Sequence, residues 1–205
     1  PNFAEVAAKS NNVSKQRSGT IVCFGGADTF GMTYKCIEML LGAEGDFFEK
    51  RRGEKLYVLA SDKMSQSQNL NHLIEKWANK YGANSVERKS WVDASTMAEL
   101  LDSCSYAFVS SSGVAVETVA MKCPCTAVCW IDNQIHHAKI IKGLGGGYVA
   151  KNVEEMILQL TGKYTAEAST DKEIEETLNG ATIDPYGAWR VASKMLNKDL
   201  VPHQA

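Results

Sequence analysis

No apolar run in these 205 residues approaches the length of about 18–20 residues that a membrane-crossing helix needs. The opening stretch PNFAEVAAKSNNVSKQRSG also lacks the apolar core of a secretory signal, so a cytoplasmic protein is expected. Positive charge is not in excess. A net charge of −2 gives no electrostatic case for nucleic acid or an anionic membrane as partner, and any phosphate must be held by local geometry. Neither GxGxxG nor GxxxxGK[ST] occurs, which weighs against a dinucleotide or nucleoside triphosphate site of the usual kinds. There is no CxxC pair and no Asp-rich cluster of the sort that holds magnesium, and no internal repeat beyond the strand–helix alternation. Cys123, Cys125 and Cys129 invite a zinc reading, but a structural zinc usually takes four ligands on turns, whereas Cys125 and Cys129 sit in a strand-like run. Core thiols are the expectation. The six cysteines, mostly within apolar segments, suggest a reducing compartment.

What is present is the composition of an ordinary globular protein, 44% hydrophobic and 22% charged, long enough for one domain with a real core. Residues 1–18 read as a linker or interdomain helix, 19–162 as the domain proper and 163–205 as C-terminal helices around DKEIEETL and AWRVASKML. Between 19 and 162, short apolar runs alternate with helical-period segments: GTIVCF, KLYVLA, NSVERKS, YAFVS, CTAVCW and GYVA are each followed by one. That spacing predicts about six βα units, hence an α/β, Rossmann-like, doubly wound parallel sheet. Ligands of such sheets bind beyond the carboxyl ends of the strands, so the search narrows to the loops FGGAD, SDKMSQS, WVDAS, SSSGV and IDNQ.

Ser111, Ser112 and Gly113 lie between a strand and a helix. Unpaired backbone N–H groups and the helix dipole at such a junction suit a phosphate without any lysine, and simple helix capping is the alternative. Gly25, Gly26 and Asp28 repeat this arrangement after the first strand, where a plain turn with Asp28 as N-cap is the competing reading. Glu117, one turn into the SSSG helix, can accept two hydrogen bonds from a ribose diol or be an ordinary solvated glutamate. Asn133 and Gln134 carry amides suited to sugar hydroxyls or phosphate oxygens. No convincing catalytic base is found, and the catalytic residue stays unassigned; His136 and His137 are the only histidines at a loop-to-helix junction facing the cleft, and first-turn histidines are more often surface residues. Trp91, Trp130 and Tyr148 end strand-like runs and are expected in the core, with stacking on a base as the alternative.

Taken jointly, TIVCFGGADTFGMT, then STMAELLDSCSYAFVSSSGVAVETVAMKCPCTAVCWIDNQ, then IDPYGAWRV follow one pattern in one order over residues 18–196. The pattern resembles the C-terminal nucleotide-sugar-binding domain of the UDP-sugar hydrolase of pseudaminic acid biosynthesis and the related spore-coat polysaccharide proteins, of GT-B fold. It departs from them in a loop less rich in glycine, Ser110–Val114, and in Met121-Lys122-Cys123-Pro124 where the family has a Leu-Gly-x-Pro-like turn. The resemblance implies that Ser111, Ser112 and Gly113 cradle a diphosphate, that Glu117 holds the ribose, that Asn133 and Gln134 reach phosphate or sugar, and that Gly25, Gly26 and Asp28 face the cleft. The uracil would lie against the backbone near Val92. It further implies a UDP-sugar as ligand, no cofactor and no metal. Family members carry a G-G-H-x-x-R-like segment on an N-terminal domain, and none occurs here. The expectation is half of an active site, completed by an N-terminal GT-B domain in cis or a partner subunit in trans, in a hydrolase or glycosyltransferase acting at the anomeric carbon. A UDP-GlcNAc 2-epimerase-like domain and a non-catalytic nucleotide-sugar-binding subunit are the alternatives.

Overall fold

The structure, a computed structural model, describes residues 16–160 apart from 27, 29, 44–50, 52, 65–66 and 144–146. The helices expected over 163–205, the IDPYGAWRV motif and most of the 1–18 segment lie outside the described residues. Within them are six strands, β1 (Thr20–Cys23), β2 (Leu56–Leu59), β3 (Val86–Lys89), β4 (Tyr106–Ser110), β5 (Cys125–Val128) and β6 (Gly147–Ala150). Six α-helices follow them in turn: α1 (Met32–Gly42), α2 (Ser67–Tyr81), α3 (Ala94–Ser103), α4 (Gly113–Ala120), α5 (Ile135–Gly143) and α6 (Val153–Leu160). No helix among the described residues is long and apolar enough to cross a membrane.

The six strands form one all-parallel sheet in the order β3-β2-β1-β4-β5-β6. The central strands are largely apolar on both faces and largely buried, as parallel strands covered by helices must be; all five residues of β4 are buried. The edge strand β3 is different. It reads Val-Glu-Arg-Lys and is half-buried along its length, its Glu87 paired with Lys55 at 2.6 Å, and charge of this kind keeps an exposed sheet edge from recruiting another strand.

Side chains alternate across the sheet and divide the core in two. Val22, Phe24, Val58, Tyr106 and Phe108 point to the face covered by α1, α2 and α6. Ile21, Leu59, Ala107, Val109, Cys125 and Ala127 point to the face covered by α3, α4 and α5. Cys123 and Cys125 are buried in this second cluster, as core thiols, whereas Cys129, just beyond β5, is only half-buried. Because crossovers are right-handed, strands added to the left of β1 carry their helices on one face and strands added to the right of β4 carry theirs on the other. The chain therefore switches direction between β1 and β4. Helices diverge there, and a crevice opens at the carboxyl ends of the two strands.

One glycine is fixed by packing rather than by backbone angle. A Cβ on Gly147 would stand 2.1 Å from the Cys125 carbonyl oxygen, inside any tolerable contact, so β6 can pair with β5 only with glycine there. A Cβ on Gly113 would meet nothing within 4 Å. Accordingly, Gly147→Ala should destabilise the fold by about 1–3 kcal/mol, the scale of forced overpacking, while Gly113→Ala leaves the urea midpoint unchanged. Equal midpoints for the two variants would show that β6 does not pair in this register.

Candidate functional site

The loop leaving β1 is built around Asp28. It adopts φ 30°, and Gly25 at φ 99° and Gly31 at φ 64° are also at positive φ, a conformation that glycine and aspartate tolerate better than other residues. This turn folds the carboxylate back onto the start of α1, where Oδ1 accepts from the Met32 N–H and Oδ2 from the Thr33 N–H, both at 2.8 Å. Asp28 is 6% exposed. The structure thus corrects the expectation that Asp28 faces the cleft: it caps α1, and its negative charge already occupies the positive end of that helix.

Other helix starts are closed in the same way. Asp93 accepts from the Thr96 N–H at 2.7 Å to cap α3, a bond that holds its carboxyl below the usual range. Asn152 caps α6 through the Glu155 N–H at 2.7 Å. Helix α4 differs from these three. Its N-cap residue Ser112 makes no side-chain cap bond, because its hydroxyl pairs with the Ser110 hydroxyl at 2.7 Å. The Ala115 N–H bonds the Ser112 carbonyl at 3.0 Å. The N–H groups of Gly113 and Val114 have no acceptor among the described residues. Of the two helix tips flanking the switch between β1 and β4, one is filled by a carboxylate and the other is open to an external anion.

The cleft at this switch encloses about 480 Å³ and brings Gly25 and Gly26 from β1, Val92 and Trp91 from the β3–α3 loop, and Val114 and Glu117 from α4 to one wall. Glu117 lies four residues beyond Gly113 on the same side of α4, about 6 Å along the axis. It is half-buried, and burial pushes its carboxyl above the ordinary glutamate range. Its carboxylate has no hydrogen-bond or ion-pair partner among the described residues. A carboxylate desolvated without a donor is an unfavourable arrangement that a ligand's hydroxyl groups would relieve. Cys23 lines the same wall; burial raises its thiol, with the charge of Glu117 adding to the effect.

Three further expectations change. Ser111 is fully buried, so it does not meet solvent at the helix tip: its N–H bonds the Val128 carbonyl at 2.9 Å and its hydroxyl donates to the Gln134 carbonyl at 3.4 Å. Gln134 is 6% exposed, and its Oε1 accepts from the Trp130 N–H at 3.2 Å. Both residues fasten the loop after β5 to the loop after β4, so that of the residues expected to meet the ligand from those loops Ser112, Gly113 and Asn133 remain accessible. Trp91 is 78% exposed and forms part of the cleft wall instead of the core. By contrast Trp130 packs half-buried on Phe24, ring centroids 5.6 Å apart, and Tyr148 packs against both core clusters. His136 is exposed. His137 is half-buried with its Nδ1 unpartnered, and neither histidine lies in the cleft wall.

No family model matches the chain, and no curated protein matches it. Among solved structures it is similar to the N-terminal domain of trehalose-6-phosphate phosphatase from Candida albicans, 15% identical with a TM-score of 0.49 over 95% of this chain and 45% of that one. It is also similar to the glycosyltransferase SnogD from Streptomyces nogalater, 15% identical with a TM-score of 0.46 over 90% of this chain and 44% of that one. An alpha,alpha-trehalose-phosphate synthase (UDP-forming) from Burkholderia vietnamiensis is 13% identical with a TM-score of 0.47 over 93% of this chain and 47% of that one. The chain spans less than half the length of each. These are likenesses of overall shape, and the specific likeness to the UDP-sugar hydrolases rests on the sequence motifs alone.

Two outcomes follow from the two carboxylates. Asp28→Ala should cost about 1–2 kcal/mol of stability in chemical denaturation, as loss of an N-cap does; an unchanged midpoint would mean that the cap bonds carry nothing. Glu117→Gln should act oppositely. With its carboxyl raised in the folded state, the wild type is destabilised as pH rises from the ordinary glutamate value through the raised one, so the glutamine variant should melt higher at neutral pH. The gap should close at pH below the ordinary glutamate range; a gap that persists there would assign the effect to packing.

Proposed function

We propose that this chain is the UDP-sugar-binding domain of a GT-B nucleotide-sugar hydrolase or glycosyltransferase that acts at the anomeric carbon with UDP as leaving group. The observation that carries the reading is the partnerless, half-buried Glu117 carboxylate one helical turn beyond the open amides of Gly113 and Val114. A diphosphate accepts from those amides and from Ser112, while a ribose diol about one turn away donates to Glu117. The base lies toward the β3–α3 loop, against the backbone at Val92, with the exposed indole of Trp91 available as a stacking face.

In this reading the chain's part in catalysis is electrostatic. As the bond to the anomeric carbon breaks, negative charge grows on the departing diphosphate, and helix-terminal N–H groups fixed beforehand stabilise it. A general base on the N-terminal domain, in cis or on a partner subunit, activates water or an acceptor hydroxyl. Neither His136 nor His137 stands in the cleft wall, which supports a base from elsewhere.

UDP should bind in the low-micromolar to millimolar range and ADP more weakly. Glu117→Ala should cost about 1–3 kcal/mol of UDP affinity, the scale for losing a charged hydrogen-bond partner. Chelator should change nothing, because Asp28 and Asp93, the aspartates beside the cleft, are committed to backbone amides. Isothermal calorimetry tests all three: equal affinity for ADP and UDP removes the uridine assignment, and wild-type affinity in Glu117→Ala removes the ribose contact. UDP release from candidate UDP-sugars should require the N-terminal domain, and robust turnover by the isolated chain would place the base within it.

A further inference from the structure

A second groove opens at the carboxyl ends of β5 and β6, on the side of the sheet that α5 covers. It encloses about 400 Å³. Its apolar part includes Ile131 and Ile135, 36% and 46% exposed, two of the five large hydrophobic residues exposed to this degree among those described. Three lysines surround that apolar surface. Lys139 and Lys142 stand one turn apart on the same side of α5, and Lys151 follows β6 directly. None of the three ammonium groups makes an ion pair or hydrogen bond with any described residue. Asp132 is the one acidic residue on the wall.

This combination is unusual for a plain surface. The chain as a whole carries −2, and protein surfaces normally interleave charges of both signs, yet three lysines and one aspartate line this recess. Their mutual repulsion is relieved by an anion in the groove, and exposed isoleucines are relieved by an apolar body. Either feature alone has an ordinary explanation, since Lys142 also suits the carboxyl end of α5. Both together select a ligand with a charged head and an apolar body.

We propose that this groove binds a soluble organic anion, a phosphate or carboxylate head on an apolar body, with the head among Lys139, Lys142 and Lys151 and the body on Ile131 and Ile135. The site is separate from the cleft that holds Glu117, and the proposal does not rest on the nucleotide-sugar reading.

Octyl phosphate below its micellar concentration is the probe, titrated by calorimetry into the full chain. Saturable binding is expected, with inorganic phosphate and octyl glucoside each weaker by about tenfold or more because each offers only half of the interaction, and with affinity falling as salt is raised. The triple variant Lys139→Ala/Lys142→Ala/Lys151→Ala should lose about tenfold or more, while the corresponding triple arginine variant retains binding. UDP affinity should be the same in all three proteins, so failure here and failure of the UDP site are told apart. Octyl phosphate binding that survives the alanine variant, octyl glucoside binding of equal strength, or the absence of saturable binding would overturn the proposal. Binding to phosphatidic acid vesicles without binding to monomeric octyl phosphate would overturn it in favour of a membrane surface.

Discussion

The arrangement of this domain depends on a single chiral constraint, the right-handedness of its strand–helix–strand crossovers. With β1 and β4 adjacent and their helices thrown to opposite faces, the loops after these two strands cannot pack over one another, and a crevice is left between them. Everything that faces the cleft does so because of that divergence: Gly25 and Gly26 from one side, Val114 and Glu117 from the other, and the β3–α3 loop as a flank. The faces are also unlike in bulk. Aromatic Tyr106 and Phe108 fill the α1 side, whereas Ala107, Cys125 and Ala127 line the α4 side.

Within the crevice, the two helix tips differ in whether a carboxylate already neutralises them. Phosphate and carboxylate compete for the same backbone donors, so an aspartate seated on α1 removes that tip from use as firmly as a bound ligand would. The two tips have similar sequences, small residues after an apolar strand, and opposite roles. On α4 the serine hydroxyls bond one another, and the amides beyond them are left free.

The layers of the fold were legible because they depend on periodicity: each of the six apolar runs became a parallel strand, with a helix after it, and the doubly wound arrangement followed. The site was legible only in outline, because the direction of a loop side chain has no period. Ser111 and Ser112 are neighbours of the same type, yet the first continues the buried line of β4 while the second is the half-buried N-cap of α4. The amide of Gln134 suits a ligand by its chemistry, but a short turn places it within reach of the Trp130 backbone. Trp91 ends a strand-like run, which suits a core residue, but β3 is the edge strand of the described sheet and Trp91 stays 78% exposed. Asp28 carried a usable signal: an aspartate in the turn ahead of a helical-period segment suits a cap as well as a cleft residue.

The bonds that remove Ser111 and Gln134 from ligand contact have a consequence for dynamics. Through Ser111, the loop after β4 is tied to Val128 and Gln134, and through Gln134 the loop after β5 is tied to itself at Trp130. The loops after β4 and β5 are therefore one mechanical unit. A ligand arriving there does not have to immobilise two independent loops, and the conformational entropy that such ordering would remove has already been lost on folding.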